Sequence, residues 1–182
     1  MLAGEVAICP PADRIKYNFG GVIHMKKGKA KKILIVVLGI LALFVLVNVG
    51  WFGWRLIKYK SFSKGMDKNI FDTWIVPRYV YTDADDFDFG VKYPDYLTFT
   101  GNLSVGMPAT EDNMFTDCLI IWPKFFGGYE YGVIIYTDEG DYQFYINADG
   151  SAVSKEDSET VARYRETIDL LLRKAKGKWK LE

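Results

Sequence analysis

Apolar positions follow three patterns along the chain, and each predicts a different structure. Residues 33–54 form one continuous apolar run, residues 74–147 hold short β-branched and aromatic runs, and residues 154–179 place apolar side chains at helical spacing. The expected fold class is α+β, because a sheet and a helix with one apolar face each must bury those faces together. We predict a single N-terminal transmembrane helix, then a small antiparallel β-sheet domain with a C-terminal amphipathic helix packed on it.

The run from Ile33 to Trp54 reads ILIVVLGILALFVLVNVGWFGW, 22 residues without a charge and with Asn48 as the only amide. At about 1.5 Å rise per residue it forms roughly 33 Å of helix, enough to span a bilayer. A core helix of a small domain rarely needs so many consecutive apolar residues. We therefore predict contact with the lipid bilayer through Ile33 to Trp54, and Asn48 is a weak candidate for helix pairing.

A cleaved secretion signal is the main competitor, because a cluster of lysines precedes the run. The run is longer than the roughly 7 to 15 apolar residues of a cleaved signal. Bulky Trp51, Phe52 and Trp54 also stand at its exit, where cleavage requires small side chains. An uncleaved signal anchor is the better interpretation.

The lysine distribution predicts the orientation. Five lysines lie within residues 26–32, whereas residues 55–60 hold three basic residues. The positive-inside rule then places the N-terminus in the cytoplasm and the C-terminal domain outside, as a single-pass protein of the cell membrane. The inverted topology, with a cytosolic domain, remains an alternative.

Residues 1–24 have neither periodicity nor a targeting composition. The codons of Gly20-Gly21-Val22 can contain a bacterial ribosome-binding sequence, so we hypothesise that translation starts at Met25. The expected organisation is a doubtful extension at 1–24, a basic cytoplasmic flank at 25–32, a transmembrane helix at 33–54, a juxtamembrane tether at 55–72 and an extracytoplasmic domain at 73–182.

The domain is predicted to be a meander of strands joined by short turns. Alternation is strict in Tyr96–Val105, where Leu97, Phe99, Leu103 and Val105 share one face. Pro77 removes a backbone donor and suggests an edge strand. The predicted strands are Trp74–Thr82, Phe87–Tyr93, Tyr96–Val105, Cys118–Phe125, Tyr129–Thr137 and Tyr142–Asn147.

The last element changes to the helical period. Ser154 and Asp157 resemble a capping box, and Gly177 weakens the helix near its end. The helix is expected to cover the alternating face of the sheet. Its predicted stripe consists of Val161, Tyr164, Ile168, Leu171, Leu172, Ala175 and Trp179.

A balanced total of 23 basic and 23 acidic residues hides a strong asymmetry. Residues 1–60 carry a net charge of +8 and residues 61–182 a net charge of −8. Between Thr82 and Gly150 there are 13 acidic and 2 basic residues. The negative electrostatic potential of this segment excludes nucleic acid as a partner. It favours a cationic or membrane protein partner besides the bilayer.

Few residues suit nucleophilic or transition-metal chemistry. His24 is the only histidine, and Cys9 and Cys118 lie far apart. A domain without histidine lacks the commonest general base and the commonest transition-metal ligand. We therefore expect no catalytic residue and no cofactor.

Two acidic segments are weak candidates for hard-cation binding. The second begins like a calcium loop, but Ala152 stands where the loop needs glycine and Ser158 where it needs glutamate. A solvated loop and a turn that feeds the Ser154 cap are the favoured explanations. The candidates are Asp83, Asp85, Asp86 and Asp88 in the first segment, and Asn147 and Asp149 in the second.

Together these patterns favour a membrane-anchored protein whose acidic extracytoplasmic domain is a non-enzymatic binding or accessory module of the bacterial cell envelope. Two alternatives remain: a carboxylate-based enzyme or calcium-binding domain, and a membrane-tethered cytosolic regulatory domain.

Overall fold

The computed structural model describes residues 27–69, 77–109, 115–138 and 140–181. Its contacts divide the chain into two compact units, Met1–Leu43 and Phe44–Glu182. The elements are α1 (Lys27–Lys60), β1 (Asp67–Lys68), β2 (Arg78–Thr82), β3 (Asp88–Lys92), β4 (Asn102–Gly106), β5 (Cys118–Pro123), β6 (Tyr129–Thr137), β7 (Gly140–Ile146), α2 (Ser158–Arg163) and α3 (Arg165–Trp179).

Helix α1 contains the whole apolar run and is long and apolar enough to cross a membrane. The part of α1 that belongs to the first compact unit exposes large apolar side chains, such as Ile35 and Leu43. The helix continues six residues beyond Trp54, so the first part of the predicted tether is helical. The doubtful extension at 1–24 lies outside the described residues.

The strands form one antiparallel sheet in the order β1 to β7, which confirms the predicted meander and the α+β class. Core residues alternate along β3, β4 and β5, as in the buried Leu119, Ile121 and Pro123 of β5. This alternation directs every second side chain to the same face, where it meets α3.

Helix α3 buries the predicted stripe against the sheet. Ile168, Leu171 and Ala175 are fully buried, as are Leu103 and Val105 of β4. The predicted packing of the C-terminal helix on the sheet is therefore confirmed.

The boundaries of the C-terminal helix differ from the prediction. It begins at Ser158, because the Ser154 hydroxyl accepts the Glu156 N–H within a local turn and caps no helix. Tyr164 separates α2 from α3. The helix passes Gly177 and ends at Trp179, and the capping residue Lys180 adopts the left-handed conformation at φ 50°.

The predicted strand Tyr96–Val105 is wrong in its first half, because β4 begins only at Asn102. Thr98 donates its backbone N–H to the Asp95 carbonyl, which closes a turn, and Leu97 adopts φ 55°. Leu97 and Phe99 consequently lie outside the core, with 44% and 47% of their surfaces exposed.

The edge position predicted from Pro77 is also wrong. Strand β2 pairs with β1 on one side and with β3 on the other. Pro77 itself precedes β2, whose paired residues begin at Arg78, so its missing N–H lies outside the strand; its carbonyl accepts the Tyr93 N–H. The rest of the predicted strand, residues 74–76, lies outside the described residues.

Candidate functional site

The first acidic segment is held by a lysine from α3. Lys174 donates from Nζ to Asp83 at 2.8 Å and also to Asp85, so its ammonium lies between two of the candidate ligands. Asp83 additionally accepts the backbone N–H groups of Asp85 and Phe87. The segment is therefore a structured loop tied to α3.

The hydrogen bonds of this loop shift two pKa values. Burial opposes ionisation of Asp83, but the hydrogen bonds from Lys174 and from two backbone N–H groups outweigh it and lower the pKa of Asp83. The hydrogen bonds to Asp83 and Asp85 raise the pKa of Lys174. Both groups are therefore charged at neutral pH.

Two further candidates of this segment lie apart from the lysine contact. Asp88 accepts the Thr82 hydroxyl at 2.7 Å, across the strand pair of β2 and β3. Asp86 occupies the loop position with φ 62°. Neither side chain joins Asp83 and Asp85 in holding Lys174.

The second acidic segment forms a turn after β7. Asp149 accepts both the N–H and the hydroxyl of Ser151, and these bonds lower the pKa of Asp149. Asn147 donates its amide to the same hydroxyl at 2.9 Å. The Asp149 carbonyl in turn accepts Arg165 at 2.9 Å, which fixes the turn to α3. Within the described residues, neither segment provides three acidic, histidine or cysteine side chains arranged to hold a metal ion.

Cys118 begins β5 and is half-buried. Burial raises the pKa of its thiol, and the neighbouring Asp117 raises it further. The thiol is therefore protonated at neutral pH, a state in which it is a poor nucleophile.

The sheet face opposite α3 is shallow and partly aromatic. The register partners on β3 to β6 are small or medium-sized, and the Trp122 ring lies over Gly132, where an added Cβ would be 2.8 Å from that ring. Tyr145 lies 6.0 Å from Trp122, ring centre to ring centre. We call this surface the open face; it comprises Gly90, Ser104, Ile120, Trp122, Gly132 and Tyr145.

The last turns of α1 are built into the β-domain. Arg55 is 1% exposed, and its guanidinium lies 4.8 Å from the ring centre of Trp51 and 5.9 Å from that of Tyr93. One turn later, Tyr59 is fully buried and accepts the Gly101 N–H at 2.8 Å. The last turns of α1 are therefore part of the domain core.

Four aromatic residues form a cluster at the point where the helix enters the domain. Trp54 of α1 lies 5.3 Å from both Phe99 and Phe125, and these two rings are 4.9 Å apart. Phe126 packs edge-on against Phe125 and is 97% exposed. We call Trp54, Phe99, Phe125 and Phe126 the aromatic collar.

Sequence reasoning did not find the aromatic collar. It assigned Phe99 to a strand face and Phe125 to the end of a strand, because both fit a β-rich pattern. The sequence does contain one signal for it. Gly127-Gly128 predicts a turn directly after Phe125 and Phe126, and a turn there places two large apolar side chains at the tip of a loop.

Comparisons with known proteins give no further guidance, since no family model, curated protein or solved structure matches this chain.

Proposed function

We propose that this protein is a single-pass, signal-anchored module of the bacterial cell membrane, with a cytoplasmic N-terminus and an acidic domain outside. The domain works by binding a cationic partner rather than by catalysis. Its anchor fixes it next to the bilayer, so that the partner is held at the membrane surface.

The observation that carries the proposal is the continuity of α1 from the apolar run into the domain core. Tyr59 follows the run by five residues and is fully buried. A flexible tether would let the domain range away from the membrane, whereas a helix that ends inside the domain keeps it near the surface. Such an arrangement suits an accessory protein that presents one binding surface close to lipid.

The charge distribution supports both the orientation and the partner class. The five lysines before the run favour a cytoplasmic N-terminus. The excess of 13 acidic over 2 basic residues between Thr82 and Gly150 attracts cationic surfaces and repels nucleic acid.

The side-chain chemistry supports binding over catalysis. The domain contains no histidine. Burial raises the pKa of its single thiol, Cys118, which therefore stays protonated at neutral pH. Asp83 and Asp85 both pair with Lys174, so neither is a free general base or cation ligand.

The open face is the surface that we assign to the partner. Tyr145 is 58% exposed there, and the acidic Glu130 and Asp141 lie on the same face of β6 and β7. Glu130 pairs with Lys124 at 3.0 Å, but both side chains are solvent-exposed, so the pair is weak and a partner's cation can compete for Glu130. Exposed aromatic rings with an acidic border suit lysine or arginine side chains, through cation–π contacts and charge attraction.

Site-specific photocrosslinking in intact cells tests this proposal. A photoreactive residue at Tyr145 should give a defined adduct, and the adduct should disappear when Glu130→Gln and Asp141→Asn remove the acidic border. Position Glu159 on α2 is the control, because it is also exposed but lies away from the sheet. Adducts at both positions, or an adduct that survives charge removal, would contradict the assignment.

A further inference from the structure

The loop between β3 and β4 reaches back along α1, into the apolar run. Tyr96 donates its hydroxyl to the Asn48 side chain, and Asn48 also donates its amide to the Phe44 carbonyl. Asn48 precedes Trp54 by six residues, which is about 9 Å along a helix axis. The loop therefore covers the last turns of the predicted span, and Asn48 uses its amide within the chain.

Large apolar side chains at the tips of this loop and of the β5–β6 turn are uncovered. Leu97 and Phe99 belong to the first, and Phe125 and Phe126 to the second. Phe99 and Phe125 lie beside Trp54, and Phe126 lies beside Phe125, so their exposed surface adjoins the end of the apolar run at Trp54. In water this combined surface would be unfavourable.

Side chains of α1 satisfy backbone carbonyl groups of both segments. Trp51 donates its indole N–H to the Thr98 carbonyl at 2.7 Å. Lys58 donates its ammonium to the carbonyls of Lys124 and Phe125. Irregular backbone enters a membrane only where its polar groups are satisfied in this way.

The charges nearby are arranged for a membrane surface. Lys58 and Lys124 have long apolar stems with charged ends, which suits the headgroup layer. Asp95, the acidic residue of the β3–β4 loop, pairs with Lys92 at 3.2 Å. Lys124 pairs with Glu130 of β6 at 3.0 Å, and residues 94–101 and 124–128 themselves contain no carboxylate besides Asp95.

We infer that the loop at 94–100 and the turn at 124–128 lie in the interfacial layer of the bilayer, so that the domain binds lipid directly as well as through its helix. These two segments contact the boundary between the lipid headgroups and the acyl chains, and they do so through the aromatic collar. This inference rests on the membrane anchor of the proposed function, but not on its orientation or its partner.

The test compares two phenylalanines that flank β5 symmetrically. Phe126 follows the last residue of β5 by three positions, and Phe115 precedes the first by three. The six residues of β5 separate them by roughly 20 Å of strand. Both are exposed, so that replacement by cysteine leaves the core unchanged.

In a full-length chain carrying Cys9→Ser and Cys118→Ser, we would label Phe126→Cys or Phe115→Cys with an environment-sensitive fluorophore. Each protein is reconstituted into phosphatidylcholine–phosphatidylglycerol vesicles. Emission is then quenched either by lipids with a nitroxide near the top of the acyl chain or by iodide in the buffer. An interfacial position lies about 5 to 10 Å into the headgroup and acyl boundary, within reach of the nitroxide.

We expect nitroxide lipids to quench the label at position 126 and iodide to quench the label at position 115. If the protein floats with the vesicles while iodide alone quenches the label at position 126, the domain does not contact lipid. In that case the inference is wrong although the membrane anchor is correct. Shielding of position 126 from both quenchers would indicate a protein partner or a second copy on the collar, which also overturns it. Protein that does not float with the vesicles would refute the anchor itself.

Discussion

Tyr59, on the last turn of α1, accepts a hydrogen bond from the backbone N–H of Gly101 at a distance of 2.8 Å. This bond joins a residue that follows the apolar run to the segment that leads into β4. Because Tyr59 is fully buried, the end of the anchor and the start of the strand form one packed unit.

Gly101→Ala should destabilise the domain by about 1 to 3 kcal/mol, the usual cost of overpacking. A Cβ at this position would overlap the Lys92 carbonyl oxygen and lie 2.9 Å from both Pro94 N and a Tyr59 ring carbon. Backbone atoms cannot rotate out of the way. Urea unfolding of the full chain in detergent measures the effect.

Gly177→Ala is the matched control for that substitution. Gly177 is exposed within α3, so alanine there should raise helix stability by up to about 1 kcal/mol. Equal effects of the two substitutions would show that the contact between Tyr59 and Gly101 is not tightly packed.

Leu171→Ala should cost about 2 to 5 kcal/mol of unfolding free energy, because it leaves a cavity between α3 and the sheet. Leu171 is fully buried there. Arg163→Ala, at an exposed position of α2, should change the unfolding free energy by less than roughly 0.5 kcal/mol. Similar small changes for both variants would contradict the packing of α3 on the sheet.

Local pattern was enough to predict the elements whose environment is uniform along their length. In the apolar run, in β5 and in α3, the apolar side chains of each element meet the same environment from one end to the other. The sequence period therefore matches the pattern of burial. The pattern misled at Leu97 and Phe99, which keep the alternation of a strand but lie in a turn beside α1. Local periodicity does not record which distant segment covers an apolar side chain.

The bonding partners of the candidate site residues depend even more on contacts between segments that are distant in the sequence. Polarity places Lys174 on the outer face of a helix, yet it pairs with Asp83, which is 91 positions away in the chain. Asn48 looked like a helix-pairing residue, and its partner Tyr96 is 48 positions away. Spacing within one element carries no information about either pair.

Lys174→Met should remove one pH dependence of stability, that of Lys174, and weaken a second, that of Asp83, which keeps its two backbone hydrogen bonds. The pKa of Asp83 is lowered in the folded state, so its contribution is present above the ordinary carboxyl value of about 3.9 and is lost as pH falls through the lowered value. The pKa of Lys174 is raised, so its contribution is present below about 10.4 and is lost as pH rises through the raised value.

The melting temperature of the two proteins across the pH range tests this pair. The wild type should melt above the variant at neutral pH, and the two curves should converge at both extremes. A difference that stays constant with pH would mean that the variant loses packing rather than charge pairing.

Calcium should leave the melting temperature of the wild type unchanged. Asp83 and Asp85 are paired with Lys174, and Asp149 is already bonded to Ser151, so each group would have to break existing bonds to coordinate Ca²⁺. Thermal melting with millimolar Ca²⁺, and with Mg²⁺ as the control, measures this. A rise specific to Ca²⁺ would favour the calcium-binding alternative.

Labelling of intact cells with a membrane-impermeant maleimide tests the central claim, that α1 anchors a domain outside the membrane. The probe positions, in the Cys9→Ser and Cys118→Ser background, are Val153→Cys, which is 61% exposed in the domain, and Gly28→Cys, which precedes the apolar run. We predict that position 153 reacts in intact cells and that position 28 reacts only after lysis. The reverse pattern, with position 28 labelled from outside and position 153 only after lysis, would contradict the account.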